Sequence, residues 1–150
     1  MTDLTANAIE RILRNNYIGH LSYLWQGKPY LIPITYYYDW TDKTIISYTS
    51  EGHKINALRE NSSATIQVEA IQSIFNWESV MVHGTFEELE GSSAEKKLRQ
   101  FTEGVKGLIR RKEGRELEFI NEFSGKLYSR GIPIVYQVKI LEIAGKRRET

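Results

Sequence analysis

The chain has 150 residues, a formal net charge of +1 and no cysteine. This length suits a single domain, residues 1–150, and the lack of cysteine excludes disulfides and thiolate metal ligands. The nearly balanced charge gives no bulk electrostatic reason to expect nucleic acid or a membrane surface as a partner. The polar N-terminus lacks the apolar core of a signal peptide, and no apolar run approaches the roughly 20 residues of a membrane helix. These features predict a cytoplasmic protein.

The first half of the chain alternates apolar and aromatic runs with turn residues. Thr5 can cap a first helix, whose buried stripe is Ile9, Ile12 and Leu13. Three strands are predicted over residues 17–25, 30–38 and 44–49, the first two of them joined as a hairpin. A short helix is predicted over residues 54–60.

The second half of the chain predicts two further strands, two helices and a last strand. Strands are expected over 64–70 and 80–89, with a looser piece between them. Ser92 and Glu95 have capping-box spacing ahead of a long amphipathic helix, whose lysines and arginines we interpret as its solvated face. A second helix is expected over 116–128, then a strand over 134–143 and a solvated tail over 145–148.

The order of these elements predicts a mainly β fold with peripheral helices. Sequential hairpins are typical of an antiparallel sheet. Six strands in this order can close into a small barrel, which also protects the sheet edges.

Residues 48–54 carry the pattern most suggestive of a ligand. A strand runs into the hydroxyls of Thr49 and Ser50, and Gly52, His53 and Lys54 then lead into the short helix. Helix N-termini attract anions, and hydroxyls and an ammonium are suitable phosphate ligands, while Gly52 would permit a turn that a Cβ resists. The pattern predicts a phosphate site or, alternatively, a solvated turn with chance hydroxyls. Neither a P-loop nor a dinucleotide fingerprint is present in the sequence.

The histidines and aromatic residues add weaker signals. His20, His53 and His83 lack metal-motif spacing, so no metal site is predicted, and hydrogen-bonded structural roles are favoured for His20 and His83. Pro33 favours an edge or irregular strand, next to an aromatic run that could line a flat ring. Trp77 is compatible with a pocket, an interface or the core.

Several segments of the chain form, in this order and spacing, a recognisable pattern. They are Gly19-His20-Leu21-Ser22, Gly27-Lys28-Pro29-Tyr30 with Ile32-Pro33-Ile34, residues 46–55 with Leu58-Arg59-Glu60-Asn61, and residues 79–84 with the long helix after Gly91. With them the chain resembles the flavin-binding split-barrel proteins related to pyridoxamine 5′-phosphate oxidase, and most of all their nitroimidazole-resistance type. The resemblance spans roughly residues 8–145.

This resemblance implies a six-stranded antiparallel split barrel that forms a homodimer with FMN at the interface. The flavin phosphate would be held by His53 and Lys54, and the isoalloxazine would rest on backbone groups of the strand that contains Pro33. In the resistance proteins the histidine matching His53 is the one proposed to lie at the active site, so a catalytic role is a second expectation for it. The full set of cofactor-binding residues implied is Pro33, Ile34, Thr35, Tyr36, Tyr48, Thr49, Ser50, His53 and Lys54, with Trp77, Ser79 and Met81 of the partner subunit.

The implied activity is that of an FMN-dependent oxidoreductase, a reductase or oxidase acting on a small molecule such as a nitro-compound or a pyridoxine-like substrate. Glu78 stands where relatives often have an arginine, which argues against contact with an anionic substrate at that place. The chain also lacks the full set of basic residues by which true pyridoxamine phosphate oxidases grip substrate phosphate, which argues against that specific activity. The alternative is a non-catalytic flavin- or haem-binding protein, with His20, His53 or His83 as the axial ligand. Deazaflavin is an alternative cofactor.

Overall fold

The computed structural model describes residues 1–114 and 133–149. Within them it has eight strands and three helices. In chain order they are β1 (Thr2–Asp3), α1 (Ala6–Arg14), β2 (Ile18–Trp25), β3 (Lys28–Thr35), β4 (Tyr37–Asp39), β5 (Thr44–Thr49), α2 (His53–Glu60), β6 (Ser63–Ser73), β7 (Asn76–Glu88), α3 (Gly91–Glu113) and β8 (Ile134–Arg148). None of the helices in this part of the chain is long and apolar enough to cross a membrane.

The strands form one antiparallel sheet in the order β3-β2-β6-β7-β8-β5-β4, with β1 added beside β8. β3 and β4 are the two ends of this path, yet only Tyr36 separates them along the chain. The sheet must therefore curl until its two ends meet at Tyr36. The Tyr36 N–H donates to the Tyr17 carbonyl at 2.8 Å, and Ser47 Oγ donates to the Thr35 carbonyl at 2.7 Å. Among the described strands no ladder closes the sheet.

The hydrophobic core lies inside this curled sheet and beneath α1 and α2. Leu13, Tyr36, Ile55, Leu58 and Ile66 are all fully buried there. A second, smaller cluster holds α3 against β5, and its buried members are Ile46, Phe101, Val105 and Ile109. The predicted mainly β antiparallel fold with peripheral helices is confirmed, as is the Thr5 cap, whose side chain accepts from the Ala8 N–H at 3.2 Å.

The number and extent of the strands differ from the prediction. Tyr36 divides the second predicted strand into β3 and β4, and β1 is an additional strand, so there are eight strands among the described residues rather than six. The segment 71–77 is not loose: β6 runs to Ser73 and β7 begins at Asn76. Backbone pairing of this hairpin, such as Ile71 with Trp77, does not require the apolar alternation by which strands are predicted.

The predicted tail 145–148 is the end of β8, and the predicted cap of α3 is wrong. Gly145 is buried against Leu4, and Arg147 pairs with Glu78, so neighbouring elements hold this end of the chain. α3 begins at Gly91 rather than after Ser92, because the Glu90 carbonyl already accepts from the Ala94 N–H at 3.4 Å. The helix predicted over 116–128 lies outside the described residues.

Candidate functional site

The candidate phosphate site is the loop that leads from β5 into α2. The N-cap residue Gly52 supplies no side-chain hydrogen bond, so the first N–H groups of α2 have no side-chain cap. Such groups point outward along the helix axis and suit an anion. The backbone of Gly52 is extended, with φ of 170°, and a Cβ there would meet nothing within 4 Å. The expectation that this turn needs glycine is therefore wrong.

Lys54 is half-buried in the first turn of α2. Its Nζ lies 5.9 Å from the centre of the Tyr136 ring. Burial lowers the pKa of Lys54, and no ion pair offsets this effect among residues 1–114 and 133–149. A cation that is partly removed from water without a carboxylate partner is suited to bind an anionic ligand.

The hydroxyls that precede α2 are at the same end of β5. Thr49 Oγ1 donates to the Ser50 carbonyl at 3.2 Å, and the Ser50 side chain is exposed. Tyr48 is half-buried, and its ring meets Phe101 edge-on at 5.1 Å between centroids. Burial raises the pKa of Tyr48, so this phenol stays protonated. The Thr49 proton is thus already used within the loop, whereas the exposed Ser50 hydroxyl has no described partner.

His53 packs against aromatic side chains of the β2–β3 hairpin. Its Nδ1 lies 3.0 Å from the Tyr23 hydroxyl oxygen. The centre of its ring is 4.7 Å from that of Tyr30 and 5.6 Å from that of Trp25. The residue is nevertheless exposed, so the imidazole is held on one side and open to solvent on the other.

Arg59 fixes the loop from the far end of α2. Its guanidinium donates two hydrogen bonds to Glu51, both of 3.0 Å, and two to Glu88, of 3.0 and 2.7 Å. Hydrogen bonding from Arg59 holds the pKa of Glu88 below its usual value. Arg59 thereby ties the residue just before Gly52 to the end of β7. Neither this network nor the aromatic surroundings of His53 was predicted, although both involve residues inside the quoted motifs or next to them.

The residues expected to hold the flavin ring lie on β3 and just after it. Pro33 is exposed on β3, which is an edge strand of the described sheet, as its proline predicted. Ile34 is buried and Thr35 half-buried. Tyr36 is fully buried, and its hydroxyl donates to the Leu13 carbonyl at 3.0 Å. Its side chain therefore cannot contact a flavin ring, contrary to the expectation that Tyr36 lines the ring pocket. Burial raises the pKa of this phenol. The backbone N–H of Tyr36 already donates to the Tyr17 carbonyl, so Tyr36 offers a ligand neither its side chain nor its N–H.

Trp77, Ser79 and Met81 lie on the outer face of β7. Strand register aligns Pro33, His20, Gln67 and Met81 in one row across β3, β2, β6 and β7. Pro33 and Met81 are therefore on the same face, about 14 Å apart at three strand spacings. Met81 is 42% exposed. Within one chain, no described contact joins Trp77, Ser79 or Met81 to the loop before α2.

The remaining histidines and Glu78 have partners in the described structure. His20 Nδ1 lies 3.2 Å from Gln67 Oε1, and His83 Nδ1 lies 2.9 Å from Thr65 Oγ1, which confirms their hydrogen-bonded roles. Glu78 pairs with Arg11 at 3.0 Å and with Arg147 at 2.8 Å. Among the described residues no cluster of three potential metal ligands exists.

A sequence model of the pyridoxamine 5′-phosphate oxidase family matches residues 5–127. The chain belongs to this family. A Rhizobium meliloti (strain 1021) protein of uncharacterised function is 32% identical over 72 residues, which is 48% of this chain and 46% of that protein. The chain thus aligns with about half the length of that curated relative.

Solved structures share the fold of this pyridoxamine 5′-phosphate oxidase family member. An FAD-binding protein from Mesorhizobium loti superposes with a TM-score of 0.76 and 21% identity, over 99% of this chain and 97% of that one. A protein provisionally assigned to 5-nitroimidazole antibiotic resistance in Bacteroides thetaiotaomicron gives 0.70 and 16%, over 96% and 85%. An FAD- and haem-binding protein from Mycobacterium smegmatis gives 0.71 and 19%, over 97% and 72%.

Proposed function

We propose that this protein binds FMN and acts as a flavin-dependent oxidoreductase on a small molecule. The observation that carries the proposal is Lys54, a half-buried cation with no described carboxylate partner, in the first turn of a helix without a side-chain cap. A dianionic phosphate monoester would supply the missing counter-charge and accept from the helix N–H groups. The family match and the flavin-binding proteins among the structural neighbours favour a flavin as the carrier of that phosphate.

The residues of this chain would bind and orient the cofactor. Lys54 would hold the phosphate, and Ser50 would donate a hydroxyl hydrogen bond to it. Thr49 would do the same once its hydroxyl turns away from the Ser50 carbonyl. Backbone groups on the free side of β3, around Pro33, would bond the polar edge of the heterocycle, since alternate N–H and C=O groups of an edge strand point away from the sheet. When bound, the flavin supplies hydride and electron transfer.

The phosphate assignment is tested by comparing FMN with riboflavin, which lacks the phosphate. Lys54→Met is expected to weaken FMN binding about 10- to 100-fold, because a hydrogen bond to a charged group contributes about 1.5–3 kcal/mol. Riboflavin binding should change less than about twofold. Quenching of flavin fluorescence on titration with protein measures both dissociation constants.

Lys96→Met is the matched control, because Lys96 is exposed on α3. It should leave both dissociation constants unchanged. The Lys54 variant should remain folded, since it removes a partly buried charge rather than a packing side chain. Equal losses for FMN and riboflavin would mean that Lys54 does not contact the phosphate. The absorption spectrum of the purified protein distinguishes flavin bands from the Soret band that the haem alternative requires.

A homodimer would complete the pocket with Trp77, Ser79 and Met81 from a second copy. Pro33 and Met81 are about 14 Å apart within one chain, and no described contact joins these three residues to the loop before α2, so contribution from a partner is the simpler arrangement. Sedimentation equilibrium should give twice the mass of the 17.4 kDa chain at micromolar concentration. Met81→Asp is expected to shift the protein towards monomer and to weaken binding of FMN and riboflavin alike. A monomeric wild type that still binds FMN tightly would overturn the shared pocket.

A further inference from the structure

The contact between Tyr23 and His53 determines what the imidazole can offer to a ligand. Tyr23 lies on β2 and is 4% exposed, whereas His53 is exposed at the first position of α2. In the described residues the Tyr23 hydroxyl has one hydrogen-bond partner, His53 Nδ1, at 3.0 Å. The Tyr30 ring stacks on that of Tyr23 at 5.4 Å and 9°, and this packing fixes the position of the hydroxyl.

The direction of this hydrogen bond follows from the inventory of donors and acceptors. A buried phenol has one proton to donate, and leaving it without an acceptor costs about 1–3 kcal/mol. If His53 Nδ1 carried the proton and donated to Tyr23, the phenol proton would have no described acceptor. The favourable arrangement has the Tyr23 O–H donating to Nδ1, which must then be unprotonated. Burial raises the pKa of Tyr23, so the phenol keeps its proton at neutral pH.

We propose that Tyr23 is a positioning residue that holds neutral His53 in the tautomer protonated at Nε2. The imidazole then presents an N–H donor, rather than a lone pair, at Nε2, on the side of the ring away from the Tyr23 hydroxyl. His53 is the first residue of α2, so it precedes Lys54 in the chain and lies at the helix N-terminus that has no side-chain cap. His53 thereby acts as a neutral donor to an anion and not as a proton acceptor through Nε2.

The phosphate contact rests on the proposed flavin function, whereas the tautomer is a property of the flavin-free protein. Two measurements therefore separate them. Long-range ¹H–¹⁵N correlation spectra of the flavin-free protein report which imidazole nitrogen is protonated, and the spectrum of His53→Gln assigns the His53 signals among the three histidines. Titration with FMN and with riboflavin then reports whether loss of the Tyr23 hydroxyl weakens binding of the flavin phosphate.

In the wild type we expect a protonated Nε2 and an unprotonated, hydrogen-bonded Nδ1. Tyr23→Phe removes the donor and should move both nitrogen shifts towards a mixture of tautomers. Tyr30→Phe is the matched control, because the Tyr30 ring also contacts His53 but its hydroxyl does not bond it, and its spectrum should match that of the wild type. A wild-type His53 protonated at Nδ1, or unchanged shifts in Tyr23→Phe, overturns the proposal.

In the flavin titrations, Tyr23→Phe should weaken FMN binding about three- to tenfold, the effect of one hydrogen bond that is no longer well oriented. Riboflavin binding by this variant, and binding of both flavins by Tyr30→Phe, should stay within about twofold of the wild type. An unchanged FMN affinity in Tyr23→Phe overturns the positioning role. A wild type that binds no FMN overturns the proposed function and with it the phosphate contact, while the nitrogen shifts still decide the tautomer.

Discussion

Replacing Lys97 with methionine is expected to lower the free energy of unfolding by about 3–5 kcal/mol at neutral pH. Lys97 Nζ donates to Asp39 Oδ2 at 2.7 Å and to Asp42 Oδ2 at 2.6 Å, so it joins α3 to the turn between β4 and β5. The Lys97 side chain is 10% exposed and that of Asp39 5%. Methionine keeps the apolar stem but leaves the Asp39 carboxylate buried without a cation. Urea denaturation of the two proteins measures the difference.

A double variant tests whether the loss arises from the unpaired carboxylate. Lys97→Met with Asp39→Asn should recover most of the stability, because no buried charge is then left. Asp42→Asn is the control, since the Asp42 side chain is 55% exposed, and it should change the free energy of unfolding by less than about 1 kcal/mol. A loss in Lys97→Met that the second substitution does not relieve would indicate packing rather than charge.

The pH dependence of this ion pair follows from the pKa of Asp39. Burial alone would raise this pKa, but hydrogen bonds from Lys97 and the Asp42 backbone outweigh burial and hold it below 3.8. A carboxylate with a depressed folded-state pKa stabilises the protein above its unfolded-state pKa, and this contribution is lost as the pH falls through the folded-state value. In Lys97→Met the hydrogen bond from Lys97 is gone and burial raises the pKa of Asp39, so protonation relieves the unpaired carboxylate in the variant before the wild type loses its own contribution. The stability difference between the wild type and Lys97→Met should therefore be largest at pH 7, begin to fall as the pH drops through the raised pKa of the variant, and shrink further below about pH 4.

Lys97 also shows where prediction from the sequence fails. Helical periodicity predicts an apolar stripe on α3 made of Ala94, Leu98, Phe101, Val105 and Leu108. Phe101, Val105 and Leu108 are buried, and Ala94 and Leu98 are half-buried. The same periodicity assigns every lysine to the solvated face, although Lys97 is buried. Its partners lie 58 and 55 residues away in the chain, and no local pattern of spacing reports such a pairing.

In the candidate site, too, local features were predictable from the sequence and long-range contacts were not. Local sequence placed Lys54 at the start of a helix after a strand that ends in hydroxyls, because caps, turns and short helices are determined within a few residues. The burial of the Tyr36 side chain and the contact of Tyr23 with His53 depend on the curling of the sheet. These features arise from strand pairing across long stretches of chain, which the sequence pattern does not specify.

The second large loss of stability is expected for a substitution at Gly84, where the pairing of β7 with β8 changes register. His83 pairs with Glu142 but Gly84 pairs with Ile140, so β8 has one extra residue there. A Cβ on Gly84 would overlap the Lys139 carbonyl oxygen and stand 2.6 Å from Val138 Cγ1. Gly84→Ala is expected to lower the free energy of unfolding by about 3 kcal/mol, the upper end of the range for overpacking, because a backbone atom must move. Thermal unfolding should show a fall of roughly 6–12 °C.

Gly19→Ala is the matched control for this prediction. Gly19 is also buried within a strand, and a Cβ there would again approach a backbone carbonyl, that of Gln67, but at 3.2 Å. Alanine also restricts the unfolded chain, which stabilises the protein by about 0.4–1 kcal/mol at both positions. The difference between the two variants therefore isolates the steric overlap, and Gly19→Ala should change stability by less than about 1 kcal/mol. If Gly84→Ala loses as little stability as Gly19→Ala, the backbone at the register shift between β7 and β8 moves easily, and Gly84 is not needed for the close approach of the two strands.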